Sequence, residues 1–264
     1  MAIGAVLVIG AGIGGMKCSL DLAESGFKVC LSDRSPWIGG TLAQLDKWFP
    51  DNHCGMCKIL PIFSRDESSQ FCLRRGLFHP NIELLPLSRL QKVEGEAGSF
   101  AVTLGLDPRG VREELCIGCD LCAQACPVEA PDEFNEGLGK RKAIYRRNPL
   151  TMPNSYAIDW ESCTRCGQCV QRCPTSAIDL SPQQEARELE VGAIILATGF
   201  EEFDPRNLHY GYGKYRNVIT QFQLARMMDP LGPTEGKVLR PSDGKEAKRI
   251  LMVQCVGSRA GEQN

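Results

Sequence analysis

At 264 residues the chain is long enough for about two domains. Its formal net charge of −2, from 30 Lys and Arg against 32 Asp and Glu, gives no basic field to attract nucleic acid or an anionic membrane surface. A composition of 43% hydrophobic and 23% charged residues excludes a disordered chain, and the longest nearly uncharged apolar stretches, Val6–Met16 and Val191–Phe200, are shorter than the roughly 20 residues of a membrane helix. Met1 leads into an apolar run with no basic leader, so a cytoplasmic location is expected. Of the 14 Cys, eight fall in two short runs, which in a reducing cytosol points to thiolate ligands rather than disulfides.

In chain order, Ile3–Ile9 (IGAVLVI) is β-branched and apolar, as a buried parallel strand should be. Gly10-Ala-Gly12-Ile13-Gly14-Gly15 follows at once, then a helical stripe of Met16, Leu20 and Ala23 that ends at Gly26, a helix C′ residue. Lys28–Ser32 reads as the next strand, with Asp33 and Arg34 at its end. This is a β-turn-α-β unit with G-x-G-x-x-G in its turn, predicted to bind a dinucleotide. Gly10 permits the tight turn, Gly12 lets the backbone approach a pyrophosphate, and Gly15 lets the helix pack on the strand. The helix N-terminus offers N–H groups to phosphate, and Asp33 would accept from a ribose diol.

Ser35-Pro-Trp-Ile-Gly39-Gly40-Thr41 follows the acid as in two-dinucleotide flavoproteins, which favours FAD over a nicotinamide cofactor. Cys54-Gly-Met-Cys57, with Cys72 further on, leaves three readings open: inert thiols, a metal or cluster site, or a redox pair near the flavin. Cys18 and Cys30 are expected to be small apolar fillers facing a core. His53, His79 and His209 are isolated and receive no catalytic role. Leu90–Glu94 and Ser99–Leu104 alternate across a Gly95–Gly98 turn, a predicted hairpin.

Two runs then read C-x2-C-x2-C-x3-C-P: Cys116, Cys119, Cys122 and Cys126, and Cys163, Cys166, Cys169 and Cys173. This is the bacterial ferredoxin spacing for [4Fe–4S] clusters, in which the fourth Cys of each run ligates the other cluster. The expected ligand sets are Cys116, Cys119, Cys122 and Cys173 for one cluster, and Cys163, Cys166, Cys169 and Cys126 for the other. A pair of zinc knuckles also uses C-x2-C pairs, but needs neither the third evenly spaced Cys nor the Pro after the fourth. The segments around the runs form an internal repeat. Between them, Val128–Glu161 contains the basic stretch GKRKAIYRR, either a solvated loop or hairpin or a docking face for an acidic electron-transfer partner. Far downstream, Glu190–Leu196 reads as one buried strand entering Ala197-Thr198-Gly199, similar to the segment that returns such flavoproteins to their FAD domain.

The expected fold is therefore α/β: a Rossmann-type, thioredoxin-reductase-like FAD-binding domain with an inserted α+β ferredoxin module for two [4Fe–4S] clusters. The predicted division is 1–108 for the first part of the FAD domain, 109–183 for the insert, 184–245 for the return and linker, and 246–264 for the start of a second nucleotide-binding-like domain.

The segments GAGIGGMKCSLDLAESGFKV, IGGTLAQLDKWFP, HPNIELL, EFNEGLGKRKAIY, LEVGAIILATGFEEFDP, YGYGKYRNVIT, GPTEGKVLRPSDGKEAKRI and QCVGSR together resemble the A subunit of heterodisulfide reductase and its bacterial homologues, over nearly the whole chain. The resemblance implies an oxidoreductase component, active in a complex, with an FAD that splits electron pairs and clusters that carry single electrons. It implies partners of the B and C subunit types and a donor such as a hydrogenase or a ferredoxin- or NADH-linked protein. It also implies that Cys255 is the first ligand of an additional [4Fe–4S] cluster, whose other ligands lie beyond Asn264. One half of a split protein, a shortened chain, or a selenocysteine codon just beyond the end would each account for this. In any of these cases another polypeptide would be needed to complete the FAD pocket. The alternatives to bifurcation are a linear electron-transfer module feeding a quinone-linked partner, and a non-catalytic redox-sensing or structural fragment. No Ser-His-Asp set, carboxylate pair or HExxH motif suggests hydrolysis, and no catalytic side chain is assigned.

Overall fold

The computed structural model describes residues 4–45, 79–149 and 151–258. The predicted thiols Cys54, Cys57 and Cys72, and His53, lie outside the described residues. Strands β1 (Ala5–Ile9), β2 (Lys28–Ser32), β3 (Ile82–Leu85) and β11 (Ala193–Leu196) form a parallel sheet in the order β11-β1-β2-β3. Val6, Leu7 and Val8 of β1 are all buried, because both faces of this sheet are covered. Val6 and Val8 pack with Met16, Leu20 and Ala23 of helix α1 (Ile13–Glu24). Leu7 points the other way, into Val102, Leu104 and Val191. Those three belong to an antiparallel sheet, β10-β5-β4, built from β4 (Ser88–Glu96), β5 (Ser99–Leu106) and β10 (Glu185–Val191).

The hairpin β4–β5 turns through Gly95 and Gly98, both at positive φ. The expectation of one buried strand over Glu190–Leu196 is corrected. The chain breaks at Gly192, leaves the antiparallel sheet as β10 and enters the parallel sheet as β11. Gly192 serves both sheets, donating to the Ala5 carbonyl and accepting from the Gly98 N–H. Nor is β11 fully buried: Leu196 is 70% exposed. Cys18 and Cys30 are half-buried, and Cys30 hydrogen-bonds the Glu83 carboxylate at 3.8 Å rather than serving only as an apolar filler.

The segment between β5 and β10 carries both Cys runs. Helix α2 (Leu121–Ala125) lies within the first run, carries Cys122 and ends at Cys126; helix α3 (Gln168–Arg172) lies within the second, carries Cys169 and ends at Cys173. Two small antiparallel pairs, β6 (Glu129–Pro131) with β7 (Lys140–Lys142) and β8 (Ile144–Tyr145) with β9 (Ala157–Ile158), hold the loops. Val111, Ile144, Tyr156, Ile158, Ala177 and Ile178 form its core. The basic stretch is hairpin, and several of its cations pair with neighbouring acids. Arg141 pairs with Glu133 at 2.8 Å and Asp159 at 3.0 Å, and Lys140 and Lys142 share Glu129. This is the hairpin of the two readings.

The insert grips the loop after β2. Trp37 is 1% exposed, donates from Nε1 to the Ser155 carbonyl at 3.0 Å and meets Tyr145 edge-on at 5.1 Å. Ile38 N–H donates to the Met152 carbonyl, and Arg109 donates to the Pro36 carbonyl at 2.6 Å. A further clasp comes from helix α4 (Gln221–Met228), started by a capping box of Thr220 and Gln223. Its fully buried Arg226 bonds Asn135 of the insert, the Gln44 carbonyl and Asp229. No helix among the described residues is long and apolar enough to cross a membrane.

Candidate functional site

The predicted dinucleotide residues converge at the C-terminal end of the parallel sheet. Gly10 turns at φ +106, and a Cβ there would stand 2.2 Å from the Ala197 carbonyl oxygen. A Cβ on Gly15 would stand 1.8 Å from the Gly10 carbonyl oxygen. These two glycines let turn, helix and the Ala197-Thr198 return pack against one another. Gly12 and Gly14 are different: a Cβ on either would meet nothing within 4 Å. The turn therefore has a closed side and an open side, and the open side is the start of α1. No side chain caps that helix, and its first turn contains no acid. Its leading N–H groups are available to an anion, with Ile13 and Gly14 in that first turn.

Gly39 and Gly40 roof this turn. Gly39 N–H donates to the Ala11 carbonyl at 2.8 Å, and a Cβ on Gly40 would be 3.0 Å from the Gly12 Cα. Thr41 continues into a 3-10 turn, Gly40–Gln44. Asp33 has a role beyond the expected one. Its Oδ2 accepts from Ala11 N–H at 2.6 Å and its Oδ1 from Ser35 N–H at 2.7 Å. The carboxylate first fastens the glycine turn to the loop after β2, and its remaining lone pairs are what a ribose diol could use. Arg34 is exposed beside it, and Thr198 and Gly199 are exposed at the end of β11.

Sequence reasoning missed Trp37, Arg109, Arg147 and Arg226. The Arg147 guanidinium lies over the Trp37 ring at 5.4 Å and the Phe134 ring at 5.1 Å. Burial pulls its pKa down, while the fields of Tyr145 and Asp33 pull it up. The only available signal was a large aromatic lodged between the strand-end acid and the Gly-Gly-Thr segment.

The cysteines sort into two hollows. Cys116, Cys119, Cys122 and Cys173 line one, together with Tyr156 and Val111. Cys126, Cys163, Cys166 and Cys169 line the other, with Ile144 and Ile158. The fourth thiol of each run thus stands with the first three of the other. Among the described residues, no three Cys, His, Asp or Glu side chains close on one point tightly enough for a single ion.

Burial, with the neighbouring Cys116 and Cys119 sulfurs, pushes the Cys122 thiol up to about 12, and burial raises Cys169 as well. Thiolates in these apolar hollows need a bound cation, which iron would supply. Cys173 goes the other way. Burial raises it, but hydrogen bonds from Ala177 N–H and Thr175 outweigh that and hold it below the ordinary value. Cys255 sits exposed on a turn at φ +57 and joins no group of three or more ligating side chains among the described residues.

Comparison with known proteins agrees with both halves of this geometry. A family described as "4Fe-4S dicluster domain" matches residues 113–178, and one described as "FAD binding domain" matches residues 5–44. The chain is 50% identical over 257 residues to an iron-sulfur A subunit of the CoB--CoM heterodisulfide reductase of Methanopyrus kandleri, covering 96% of this chain and 37% of that protein. It is 47% identical to the A subunit of the H(2)/formate:CoB-CoM heterodisulfide,ferredoxin reductase of Methanococcus maripaludis, covering 96% of this chain and 37% of that protein. It is 41% identical to the A subunit of the ferredoxin:CoB-CoM heterodisulfide reductase of Methanosarcina mazei, covering 96% and 31% respectively. The chain thus spans about a third of the length of these relatives.

Proposed function

Given that the chain belongs, over 96% of its length, to the family of heterodisulfide reductase A subunits, we propose that it is an FAD and iron–sulfur electron-transferring component of a heterodisulfide-reductase-like complex. FAD would exchange electron pairs and two [4Fe–4S] clusters would carry single electrons; that chemistry belongs to the cofactors. The protein's part is to hold them. The first turn of α1, with Gly10, Gly12, Ile13, Gly14 and Gly15, offers N–H groups to the pyrophosphate, and Gly39, Gly40, Thr41 and Ala197-Thr198-Gly199 close around it. Asp33 orients the ribose and Arg34 stands at its rim. Cys116, Cys119, Cys122 and Cys173 hold one cluster; Cys163, Cys166, Cys169 and Cys126 hold the other. Cys255 would contribute to a third cluster shared with polypeptide outside this chain.

The observation that carries this reading is the joining of the two sites. The loop between Asp33 and Gly39 is a wall of the flavin site, and Trp37 and Ile38 within it are bonded to Ser155 and Met152 of the ferredoxin insert. The loop that would border the flavin and the insert that would hold the clusters are thus bonded directly to each other. True bifurcation needs two unequal exits and would belong to the assembled complex, with B- and C-type subunits and a hydrogenase or ferredoxin- or NADH-linked donor as partners, in the cytoplasm. The test is anaerobic purification with whatever copurifies, followed by flavin and iron counts. About eight irons and one FAD per chain are expected for two four-iron clusters and one flavin. Zinc in place of iron, or a protein without flavin, would refute the reading.

A further inference from the structure

The two cluster loops are copies of one backbone that carry opposite charges. In the internal repeat Cys116, Cys119 and Cys122 correspond to Cys163, Cys166 and Cys169, and the short helices α2 and α3 correspond in turn. Two positions in each loop are left-handed. Gly118 (φ +68) has Arg165 (φ +55) as its counterpart, and Asp120 (φ +70) has Gly167 (φ +79). Glycine takes this conformation without cost, and a side chain there is strained. Each loop therefore carries a strained charged residue where its twin shows that glycine suffices.

Both residues line their own hollow. Asp120 is the helix N-cap of α2, and its Oδ1 accepts from the Tyr156 hydroxyl. Arg165 stands over the Trp160 ring at 5.7 Å, and its backbone N–H donates to the Cys163 sulfur at 3.4 Å. In the other hollow Ala177 N–H donates to the Cys173 sulfur at 3.3 Å, and the Thr175 hydroxyl lies 3.6 Å from the same sulfur. Arg146, over the Tyr156 ring at 5.1 Å and bonded to Asn154, offsets part of the Asp120 charge. Among the described residues no carboxylate pairs with Arg165.

We propose that Asp120 and Arg165 poise the two clusters apart in potential, so that the first electron taken up by the pair rests on the cluster held by Cys163, Cys166, Cys169 and Cys126. A negative charge beside a cluster opposes its reduction and a positive charge favours it. This inference rests on the two-cluster function proposed above. Both residues act as positioning groups for the electron, without touching a reactant.

The test is a mediated redox titration of the full anaerobic protein, followed by electron paramagnetic resonance. Cys126→Ser, which strips a ligand from the second hollow, identifies which signal belongs to which cluster. Arg165→Gly and Asp120→Gly install the residue the twin loop already uses, so the backbone is relieved. Arg165→Gly should lower the midpoint of the Cys163 cluster alone, and Asp120→Gly should raise that of the Cys116 cluster alone. Asp120→Asn, which keeps an oxygen for Tyr156, should shift the same way as Asp120→Gly, and Arg165→Lys should stay near the parent. Unmoved midpoints in both glycine variants, or equal shifts in Arg165→Gly and Arg165→Lys, would overturn the proposal. An iron count well below eight in the parent protein would overturn the two-cluster reading instead.

Discussion

The glycine turn gives the sharpest prediction, because its glycines are required for different reasons. At Gly15 a Cβ would stand 1.8 Å from a backbone oxygen, against 3.4 Å for the near limit of ordinary contact. Gly15→Ala must therefore part helix and turn by roughly 1.6 Å in a well-packed place, an overpacking that costs about 1–3 kcal/mol. Alanine's better helix propensity returns about 1 kcal/mol. The struck atom is backbone and cannot swing aside, so the net loss should be about 2 kcal/mol, a fall in Tm of about 4–8 °C for a chain of this size. At Gly12 the added atoms meet no protein, and the backbone is extended at φ −74, ψ −173, which valine adopts freely. Gly12→Val should cost the apoprotein only about 1 kcal/mol as a poorer N-cap. It should, however, fill the space the pyrophosphate needs. Losing two charge-assisted N–H bonds at about 1.5–3 kcal/mol each weakens FAD binding by roughly 10²- to 10⁴-fold. Thermal unfolding of both apoproteins and flavin titration by fluorescence separate the two effects. If Gly12→Val binds FAD within threefold of the parent, or unfolds more readily than Gly15→Ala, the division of labour is wrong.

Other perturbations test the remaining joints. Cys126→Ser should bring iron from about eight to about four per chain, with loss of the signal from the second run's cluster; selective loss of the first run's cluster would contradict the crossed ligand sets. Trp37→Ala removes a 1% exposed indole that clasps the insert, and should cost about 3–5 kcal/mol in denaturant unfolding. In Arg226→Met the buried Asp229 loses its cation at 2.5 Å, which should cost about 3–5 kcal/mol, and adding Asp229→Asn should restore a large part of it in a double-mutant cycle. Leu7→Ala opens a void between the parallel and antiparallel sheets and should cost about 2–5 kcal/mol by the same unfolding assay.

Much of this protein was legible where the cause lies within a few residues. The run from Ala5 to Asp33 declares strand, glycine turn, helix and strand because each depends on local periodicity and on backbone angles that only glycine takes. The eight cysteines of the two runs declare themselves through spacing alone, since the repeated C-x2-C-x2-C-x3-C-P interval is read directly along the chain. The left-handed positions of Asp120 and Arg165 do not announce themselves as such; they emerge once the two loops are seen to share one backbone. What only the tertiary structure decided depends on groups distant in sequence. Gly192 divides one apolar run into two strands because it must donate to Ala5 of one sheet and accept from Gly98 of the other. Lys140, Arg141 and Lys142 of the basic stretch find partners because Glu129, Glu133 and Asp159 are brought beside them. Asp33 is drawn to Ala11, and Trp37 to Ser155, by closure of the sheet and docking of the insert. Local pattern chooses the elements, because nearby backbone and side-chain geometry sets their energies. Which polar group meets which partner is decided only when distant segments are desolvated together, and no spacing within the sequence encodes that meeting.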